Sequence, residues 1–565
     1  MLILRLQNSL SNSLSCADKN HTIVLKLPES DPLFDRKKKL LQSKGYDVEV
    51  HIQLKSASYP KWARTTAESI LQISRIMHLD EAELYFREDD SCSPMGYYTQ
   101  KNELEALNSM LCNVNSSFLD DTSSHEDVLQ DLREAIIQLM FDFGHKNITE
   151  TSVINSQNCD RENFLLQWGE KSGVKNRLQI AYIEGFGRGA VAVTDLKVGD
   201  IALEIPVSAV ISEDAMKKSD MFPVLEKVDG ISTDTMLLLW SMKERYNSSS
   251  TFKNYFDTLP EEFNTGLSFG VDAIVALDGT LLLEELIQAK EHLRNQYDEL
   301  FPALCEEHPD IFPPELYTWE QFLWACELWY SNSMKIQFAD GALRTCLIPI
   351  AGFLNHSLYP HITQYGKVDS AANTLKFRMS RPCHAGEQCY LSYGNFSSSH
   401  LITFYGFMPK MENPYDVIQL DIDSSQDVCS DEFDVSSGTT HMVRGTWFSD
   451  DHSIFHYGLP APLLNHLRRA RKHFLDAVSP LQEKLKIEIE ILEDLCSTFS
   501  GMMENLGEMD SESRENMEWD VKLAAEYKNL QRRIISSILS SCYAGRKLVE
   551  DELCKSMAKD DGSPS

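Results

Sequence analysis

Three separate stretches of the chain carry short β-prone runs broken by glycine-rich turns, and helical sequence separates the first stretch from the second. The β-prone stretches are residues 180–212, 336–350 and 375–393. Within residues 214–335, the helix-like segments are 232–246, 281–299 and 319–330. Short strands are stable only when they pair with others. The sequence therefore predicts an α+β protein whose β-rich domain is interrupted by a helical insertion at about 214–335.

The chain from about residue 460 onward is helical by its apolar spacing. Leu485, Ile489, Leu492 and Leu495 repeat on one helix face, and residues 520–548 show the same periodicity. Such helices form a bundle that either packs its own core or presents a groove. The predicted domains are a mixed N-terminal region of unknown role at 1–160, the β-rich domain with its insertion at 161–410, an all-helical domain at 411–555 and a disordered tail at 556–565.

The N-terminal region carries no motif with an evident chemistry. Residues 21–27, HTIVLKL, alternate as a strand does, and residues 61–78 and 126–143 have helical spacing. Residues 108–125 are polar and rich in serine, which predicts a loop. We expect a scaffold or docking role for this region.

Charge and cysteine usage exclude several function classes. A net charge of −32 argues against nucleic-acid binding, and an acidic surface attracts basic protein segments or simply maintains solubility. No apolar run reaches the ~18 residues of a membrane span, so a soluble intracellular protein is expected. The 13 cysteines include no CxxC pair, which favours reduced thiols and no structural metal. The Ser-rich start resembles an organelle presequence only weakly.

Three motifs combine in an order that core packing does not require. Residues 184–189, EGFGRG, place three glycines between strands, where glycine permits positive φ and close approach of a ligand. No long helix follows them, so a dinucleotide site is excluded. Asn355 and His356 follow an apolar run, and Tyr393 and Tyr405 each precede a glycine. Each motif alone is typical of a turn or of packing.

Together these motifs resemble the SET-domain methyltransferases, specifically the branch of the plant Rubisco large-subunit lysine methyltransferase. The matching stretches are EGFGRGAVAVTDLKVGD, LIPIAGFLNHS, GEQCYLSYG and LITFYGF, in the order of the family. The resemblance covers roughly residues 163–555, including the split by an insertion and the helical C-terminal domain. The family lacks the Cys-rich zinc-binding tail of histone-directed relatives, in agreement with the absence of CxxC here.

The resemblance implies a pseudoknot, in which the Asn355 segment passes beneath the Tyr393 segment so that both meet at one pocket. It implies S-adenosylmethionine as the methyl donor and a protein-lysine N-methyltransferase that acts on a non-histone protein. Tyr393 is the implied catalytic residue, beside the transferred methyl group. The implied cofactor-binding residues are Glu184, Gly185, Phe186, Gly187, Asn332, Asn355, His356 and Tyr393.

The chemistry of methyl transfer suits these residue types. Transfer from a sulfonium to an amine is an in-line displacement, and alignment of the reactants alone is worth ~7–11 kcal/mol. Lysine, with a reference pKa of ~10.4, must enter as the neutral amine. A water-poor aromatic channel and the sulfonium charge both disfavour the ammonium form. Carbonyl oxygens and the Tyr393 hydroxyl can accept weak C–H···O contacts from the methyl group.

Two positions depart from the family pattern and keep a second interpretation open. Gly352 stands where the family often has Asp, and Asn332 lies nearest the position of an Arg that pairs with the cofactor carboxylate. The alternative is therefore a catalytically weak or inactive SET-fold scaffold that binds a protein partner. A methyltransferase for a histidine side chain is a further alternative, since one branch of the family modifies histidine.

The sequence does not identify the substrate beyond a protein that presents a lysine. Tyr365 and Tyr405 are candidates for lining the target channel, although core packing explains either tyrosine equally well. We expect a monomer that binds neither nucleic acid nor membrane. The compartment is cytoplasmic or nuclear, with the chloroplast as the alternative that the plant-type resemblance raises.

Overall fold

The computed structural model describes residues 21–54, 61–87, 98–119, 126–145, 152–155, 159–363, 365–422, 440–471, 480–507 and 517–561. The chain forms two compact units. One unit comprises Met1–Leu79, Pro94–Gly96 and Glu105–Phe143, and the other comprises Asp80–Ser93, Tyr97–Leu104 and Gly144–Ser565.

The first unit pairs two antiparallel strands, β1 (His21–Lys26) and β2 (Glu49–Leu54). Its helices are α1 (Phe34–Ser43) and α2 (Trp62–Met77), together with most of α4 (Gln100–Leu119) and of α5 (Glu126–His145). The short helix α3 (Glu81–Arg87) belongs to the other unit. The strand predicted at 21–27 and the helices predicted at 61–78 and 126–143 are therefore confirmed.

The loop predicted at 108–125 is wrong over residues 108–119, which belong to α4. Leu107, Met110, Leu111 and Val114 are buried at helical spacing. Ser116 lies on the exposed side of the helix and donates a hydrogen bond to the carbonyl of Cys112. The serines thus form the polar face of an amphipathic helix, and residues 120–125 lie outside the described part of the chain.

The second unit contains the β-rich domain, built from small sheets. Its strands are β3 (Val153–Asn155), β4 (Lys175–Asn176), β5 (Leu178–Ile183), β6 (Gly187–Ala192), β7 (Ile201–Pro206), β8 (Ser333–Gln337), β9 (Leu343–Leu347), β10 (Asn355–His356), β11 (Val368–Asp369), β12 (Thr374–Arg378), β13 (Tyr390–Leu391), β14 (Val417–Asp421) and β15 (Thr440–Arg444). The sheet orders are β3-β5-β6, β11-β12-β7-β4, β8-β9, β10-β13 and β14-β15. Strands of the first and third predicted β-prone stretches pair as β7-β12. The strands of the second stretch, β8 and β9, pair with each other, and an isolated bridge between Leu347 and Ile211 connects them to the first stretch.

A helical insertion separates β7 from β8. The helices of the insertion are α7 (Glu213–Lys217), α8 (Phe222–Leu225), α9 (Thr233–Glu244), α10 (Lys253–Phe256), α11 (Val271–Ala276), α12 (Leu281–Glu307) and α13 (Trp319–Asn332). The helix α6 (Asp160–Lys171) lies before the insertion in the chain. Leu239 and Trp329 of the insertion share one buried cluster with Leu203 and Phe377 of the sheet. The insertion therefore completes the core of the β-rich domain.

The domain predicted as all-helical at 411–555 instead begins with the β14-β15 pair, and its α-helices start at Ala461. The helices of this region are α15 (Ala461–Arg471), α16 (Leu481–Asn505) and α17 (Trp519–Asp561). The helix α14 (Ser398–Tyr405) precedes the region in the chain. α15 and α16 pack against α17 from Ile534 onward, around Leu492, Phe499 and Ile538. α17 continues to Asp561, so the first six residues of the expected disordered tail are helical.

In the part of the chain that the structure describes, every helix is too short or too polar to cross a membrane.

Candidate active site

The segments of Asn355 and Tyr393 lie side by side, as the pseudoknot requires. β10 and β13 pair in parallel, with Asn355 opposite Tyr390 and His356 opposite Leu391. The Ser357 amide extends the pairing by donating to the Leu391 carbonyl at 3.0 Å. Two motifs that are distant in sequence therefore meet at one place.

His356 connects the two segments through its side chain. The Tyr393 amide donates to His356 Nδ1 at 3.0 Å, and the Tyr393 hydroxyl donates to the Leu354 carbonyl at 3.2 Å. Because Nδ1 accepts, the proton of the neutral ring is on Nε2. Burial lowers the pKa of His356 to about 4, so the ring is neutral at physiological pH. The imidazole acts as a neutral acceptor that fixes the position of Tyr393.

The chain enters β10 through a strained turn. Ile350 has a φ of 72°, which is rare for a β-branched residue, and Ala351–Phe353 form one turn of 3-10 helix. Ile350 is buried, so its side chain anchors this backbone in the core. Strained backbone persists where the surrounding structure fixes it, and such positions concentrate at functional sites.

The glycine-rich motif forms the hairpin between β5 and β6. Gly185 and Gly187 both have positive φ, at 71° and 68°, which the turn requires. The Asn355 Nδ2 donates to the Arg188 carbonyl at 3.0 Å. A Cβ added at Gly189 would lie 3.0 Å from Asn355 Nδ2 and 2.6 Å from Ile183 Cδ1. Glycine at 189 is thus needed for Asn355 to reach the hairpin.

A cavity of about 480 Å³ opens where these segments meet. Its size falls in the ~300–1,000 Å³ range of small-molecule sites. The glycine-rich hairpin, β10, the strand end at Tyr393 and the segment after α14 all contribute to its wall. Among its lining residues are Gly185, Phe186, Gly187, Asn264, Asn332, Gly352, Asn355, His356, Tyr393, Tyr405, Phe407 and Lys410.

A second cavity of about 330 Å³ adjoins the first. Its own lining includes Tyr330, Met334, Leu354, Tyr365 and Phe396. Both cavities are lined by Ser331, Asn332, Gly352, Tyr393 and Tyr405. The rings of Tyr393 and Tyr405 stack with their centroids 4.9 Å apart. These residues form the wall that the two cavities share.

The tyrosines at the shared wall are uncharged and held in place. Burial raises the pKa of Tyr393, and it raises the pKa of Tyr405 and of Tyr365 to about 12. The Tyr365 hydroxyl donates to the Ser392 carbonyl at 2.8 Å, and its ring stacks on Phe377. Of these three tyrosines, Tyr365 lines only the second cavity, whereas Tyr393 and Tyr405 form the shared wall.

Two of the sequence-predicted cofactor residues differ from the others in their placement. Glu184 does not line the larger cavity, and its amide donates to the Ser152 carbonyl at 2.9 Å. Asn332 lines both cavities, but its Nδ2 donates to Ser331 Oγ at 2.6 Å. A neutral amide at this position supplies no charge for a cofactor carboxylate.

A buried group of His361, Cys383 and Cys389 has ligand atoms within 4.8 Å of one another. The geometry does not fit a metal, because both ring nitrogens of His361 are occupied. Nε2 lies 3.0 Å from Glu387 Oε1, and Nδ1 accepts from the Tyr390 amide at 3.0 Å. A hydrogen bond with the neighbouring Cys389 thiol, together with burial, raises the pKa of Cys383, which disfavours the thiolate that a metal would bind. The absence of a structural metal stays a prediction.

The insertion supplies wall residues that sequence reasoning missed, at Phe263, Asn264 and Thr265. Asn264 comes so close to the turn after α14 that a Cβ at Gly406 would lie 1.6 Å from its carbonyl oxygen. Gly406 itself has a φ of 73°, a conformation that favours glycine, so the glycine at this position is a sequence signal for the contact. Lys410 was also missed.

Comparison with known families and proteins matches a SET domain at residues 187–394. The chain is 25% identical over 345 residues to the chloroplastic ribulose-1,5 bisphosphate carboxylase/oxygenase large subunit N-methyltransferase of Pisum sativum, covering 59% of this chain and 68% of the relative. It is 26% identical over 292 residues to the chloroplastic [fructose-bisphosphate aldolase]-lysine N-methyltransferase of Arabidopsis thaliana, covering 50% and 58%.

The actin-histidine N-methyltransferase of Canis lupus familiaris is 26% identical over 260 residues, covering 43% of this chain and 42% of that protein. The matches to the Arabidopsis and dog proteins thus span about half the length of each relative.

Solved structures share the fold. The structure of Rubisco LSMT bound to AdoMet superimposes with a TM-score of 0.52 at 19% identity, covering 70% of this chain and 94% of that one. The SET domain of LSMT bound to lysine and AdoHcy gives a TM-score of 0.53 at 19% identity, covering 69% and 92%. The predicted α+β SET fold is confirmed.

Proposed function

Residues 187–394 of this chain form a SET domain, and from this premise we propose that the protein is an S-adenosylmethionine-dependent protein-lysine N-methyltransferase. It transfers a methyl group in line to the deprotonated side-chain amine of a lysine in a non-histone protein. The observation that carries this function is the wall of Tyr393 and Tyr405 shared by two adjoining cavities. One cavity suits a cofactor and the other suits a side chain.

The larger cavity fits S-adenosylmethionine in size and in the chemistry of its wall. Backbone with positive φ at Gly185 and Gly187 leaves room for a ligand beside the hairpin. When bound, the cofactor supplies an activated methyl group on a sulfonium. The proposed holding residues are Gly185, Phe186, Gly187, Asn332, Asn355, His356 and Tyr393. Glu184 is left out because it does not line the cavity.

The smaller cavity orients and desolvates the target amine. Rings of Tyr365, Tyr393 and Tyr405 form much of its wall, and two of their hydroxyls are bonded to backbone carbonyls, which fixes the rings. An amine that lies against these rings loses contact with water, which disfavours the ammonium form of lysine. Positioning the amine against the shared wall supplies the proximity and orientation that the displacement needs.

The substrate is a protein segment that presents a lysine. The names of the pea and Arabidopsis relatives assign them non-histone substrates, which supports a non-histone target here. The net charge of −32 favours a basic segment, because opposite charge speeds encounter. We propose further that the protein acts as a monomer, without nucleic acid.

Histidine methylation is the second candidate. The dog relative that aligns over 260 residues is named an actin-histidine N-methyltransferase, so this fold is compatible with an imidazole target. A flat imidazole could enter the same aromatic cavity.

The compartment is intracellular. The described cysteines are all free thiols, which suits a reducing environment. The names of the pea and Arabidopsis relatives place them in the chloroplast, so the chloroplast joins the cytoplasm and nucleus as a candidate. The N-terminal stretch that bears on targeting lies outside the described residues.

The test is incubation of the full-length protein with cell extract and S-adenosylmethionine that carries a deuterated methyl group. Mass spectrometry of the extract then identifies labelled residues. Label on lysine of a protein supports the proposed function, and label on histidine alone supports the second candidate. Labelling that is absent, or equal with the Tyr393→Phe variant, contradicts an active enzyme built on this site.

A further inference from the structure

Lys410 is the only lysine or arginine among the described residues that line the larger cavity. The lining residues that the structure describes also include no aspartate or glutamate. The charge of the cavity wall is therefore set by one ammonium group. Lys410 lies five residues after the end of α14, and no sequence motif indicates that it belongs to the site.

The position of this ammonium group is defined by the glycine-rich hairpin. Lys410 Nζ lies 4.6 Å from the centroid of the Phe186 ring. A Cβ added at Gly185 would lie 2.7 Å from Nζ, so the ammonium sits directly on the turn. The side chain is exposed, and no carboxylate of the described residues forms an ion pair with it.

A cavity wall of this kind suits an anionic group. S-adenosylmethionine carries a carboxylate at its amino-acid end, and a carboxylate that leaves water must be paired or hydrogen-bonded. Asn332 supplies no cation, because its amide is uncharged and its Nδ2 donates to Ser331 Oγ. We propose that Lys410 pairs with the carboxylate of the cofactor. This inference rests on the proposed function, because it takes the cofactor as given.

The alternative is that Lys410 only covers the Phe186 ring. Cation–π contact explains why the side chain lies over the hairpin. In that case the lysine contributes equally to the binding of any ligand, with or without a carboxylate. The two roles therefore differ in how affinity depends on one group of the ligand.

The experiment measures binding by calorimetry for a pair of ligands. S-adenosylmethionine is compared with its decarboxylated form, which retains the sulfonium, the methyl group and the amine. Both are titrated into the full-length wild type and into Lys410→Met, Lys410→Arg and Lys217→Met. Lys217 pairs with Glu213 outside both cavities, so its variant removes the same charge elsewhere.

We expect Lys410→Met to weaken binding of S-adenosylmethionine about fivefold and binding of the decarboxylated form little, since a partly exposed ion pair is worth at most about this factor. Lys410→Arg and Lys217→Met should keep the wild-type preference. If Lys410→Met weakens the binding of both ligands equally, or leaves the preference for S-adenosylmethionine over its decarboxylated form unchanged, the proposed role of Lys410 is wrong. The proposed function is not affected by that result. Wild type that binds neither ligand overturns the proposed function with it.

Discussion

At the scale of single residues, the site depends on hydrogen bonds from side chains to backbone. His356 accepts from the Tyr393 amide, Tyr393 donates to Leu354, and Asn355 donates to Arg188. Each bond joins segments that are far apart in sequence. A change at one of these residues should therefore alter the geometry of the site more than its charge.

Tyr393→Phe is expected to lower turnover about tenfold while leaving S-adenosylmethionine affinity nearly unchanged. The ring that forms the shared wall stays, but the hydroxyl bonded to the Leu354 carbonyl is lost, and one such bond is worth about 1 kcal/mol or more. Steady-state kinetics and calorimetry separate the two quantities.

Tyr297→Phe is the matched control for this change. Its hydroxyl likewise donates to a backbone carbonyl, that of Tyr317, at 3.0 Å, and it lines neither cavity. Turnover that falls equally in both variants would show a loss of stability and not a role at the shared wall. Unchanged turnover in Tyr393→Phe would remove Tyr393 from the reaction.

His356 predicts a pH dependence of stability. Its pKa is about 4 in the folded protein because burial disfavours the imidazolium, against ~6.5 in an unfolded chain. Between these values only the unfolded chain binds the proton, so stability is full above about pH 6.5 and falls as the pH drops toward 4. His356→Asn retains an acceptor but does not titrate. Unfolding temperatures measured from pH 7.5 to 5 should fall less steeply in this variant, and parallel curves would contradict the assignment.

At the scale of elements, the β5-β6 hairpin and β10 must approach closely for the cavity to form. Sequence analysis predicted strands around the glycine-rich turn, because glycine spacing is a local signal, and it identified Asn355 and His356 as site residues without predicting that they form the strand β10. It did not predict Asn264 or Lys410 at the site. Those two residues reach the cavity through the fold-back of the insertion and of the chain after α14, which no local pattern encodes.

Gly189→Ala tests this close approach. The added Cβ would lie within 3.0 Å of atoms of Ile183, Gln388 and Asn355, so the hairpin must shift. We expect a loss of about 1–3 kcal/mol in the free energy of unfolding, as overpacking costs elsewhere. Weaker binding of S-adenosylmethionine should accompany it. Both are measured on one preparation by denaturant unfolding and calorimetry.

Gly501→Ala is the control. Gly501 lies in α16, where an added Cβ meets nothing within 4 Å, so alanine should stabilise the protein by up to about 1 kcal/mol. Gly189→Ala with unchanged stability and affinity would show that the hairpin and β10 are not tightly coupled.

At the scale of the second compact unit, α17 connects two hydrophobic cores. Leu523, Ala524 and Tyr527 in its first half pack with Phe269 and Leu286 of the insertion. From Ile534 onward the helix packs against α15 and α16. Apolar periodicity predicted the helix but not its partners, because one amphipathic face does not specify what covers it.

Tyr527→Ala is expected to destabilise the protein by about 3 kcal/mol, as large-to-small changes in cores do, and to impair the insertion that lines the larger cavity. Tyr543, on the same helix but 56% exposed, should tolerate alanine within about 0.5 kcal/mol. Thermal unfolding compares the two. Similar melting of both variants would mean that the contact between α17 and the insertion contributes little.

The central claim is that two cavities meet at Tyr393 and Tyr405 to form one active site. A crystal structure with bound S-adenosylhomocysteine tests it most directly. We predict that the ligand occupies the larger cavity, with its sulfur at the shared wall and facing the smaller cavity. Ligand bound elsewhere, or a sulfur turned away from these tyrosines, would contradict the proposed active site.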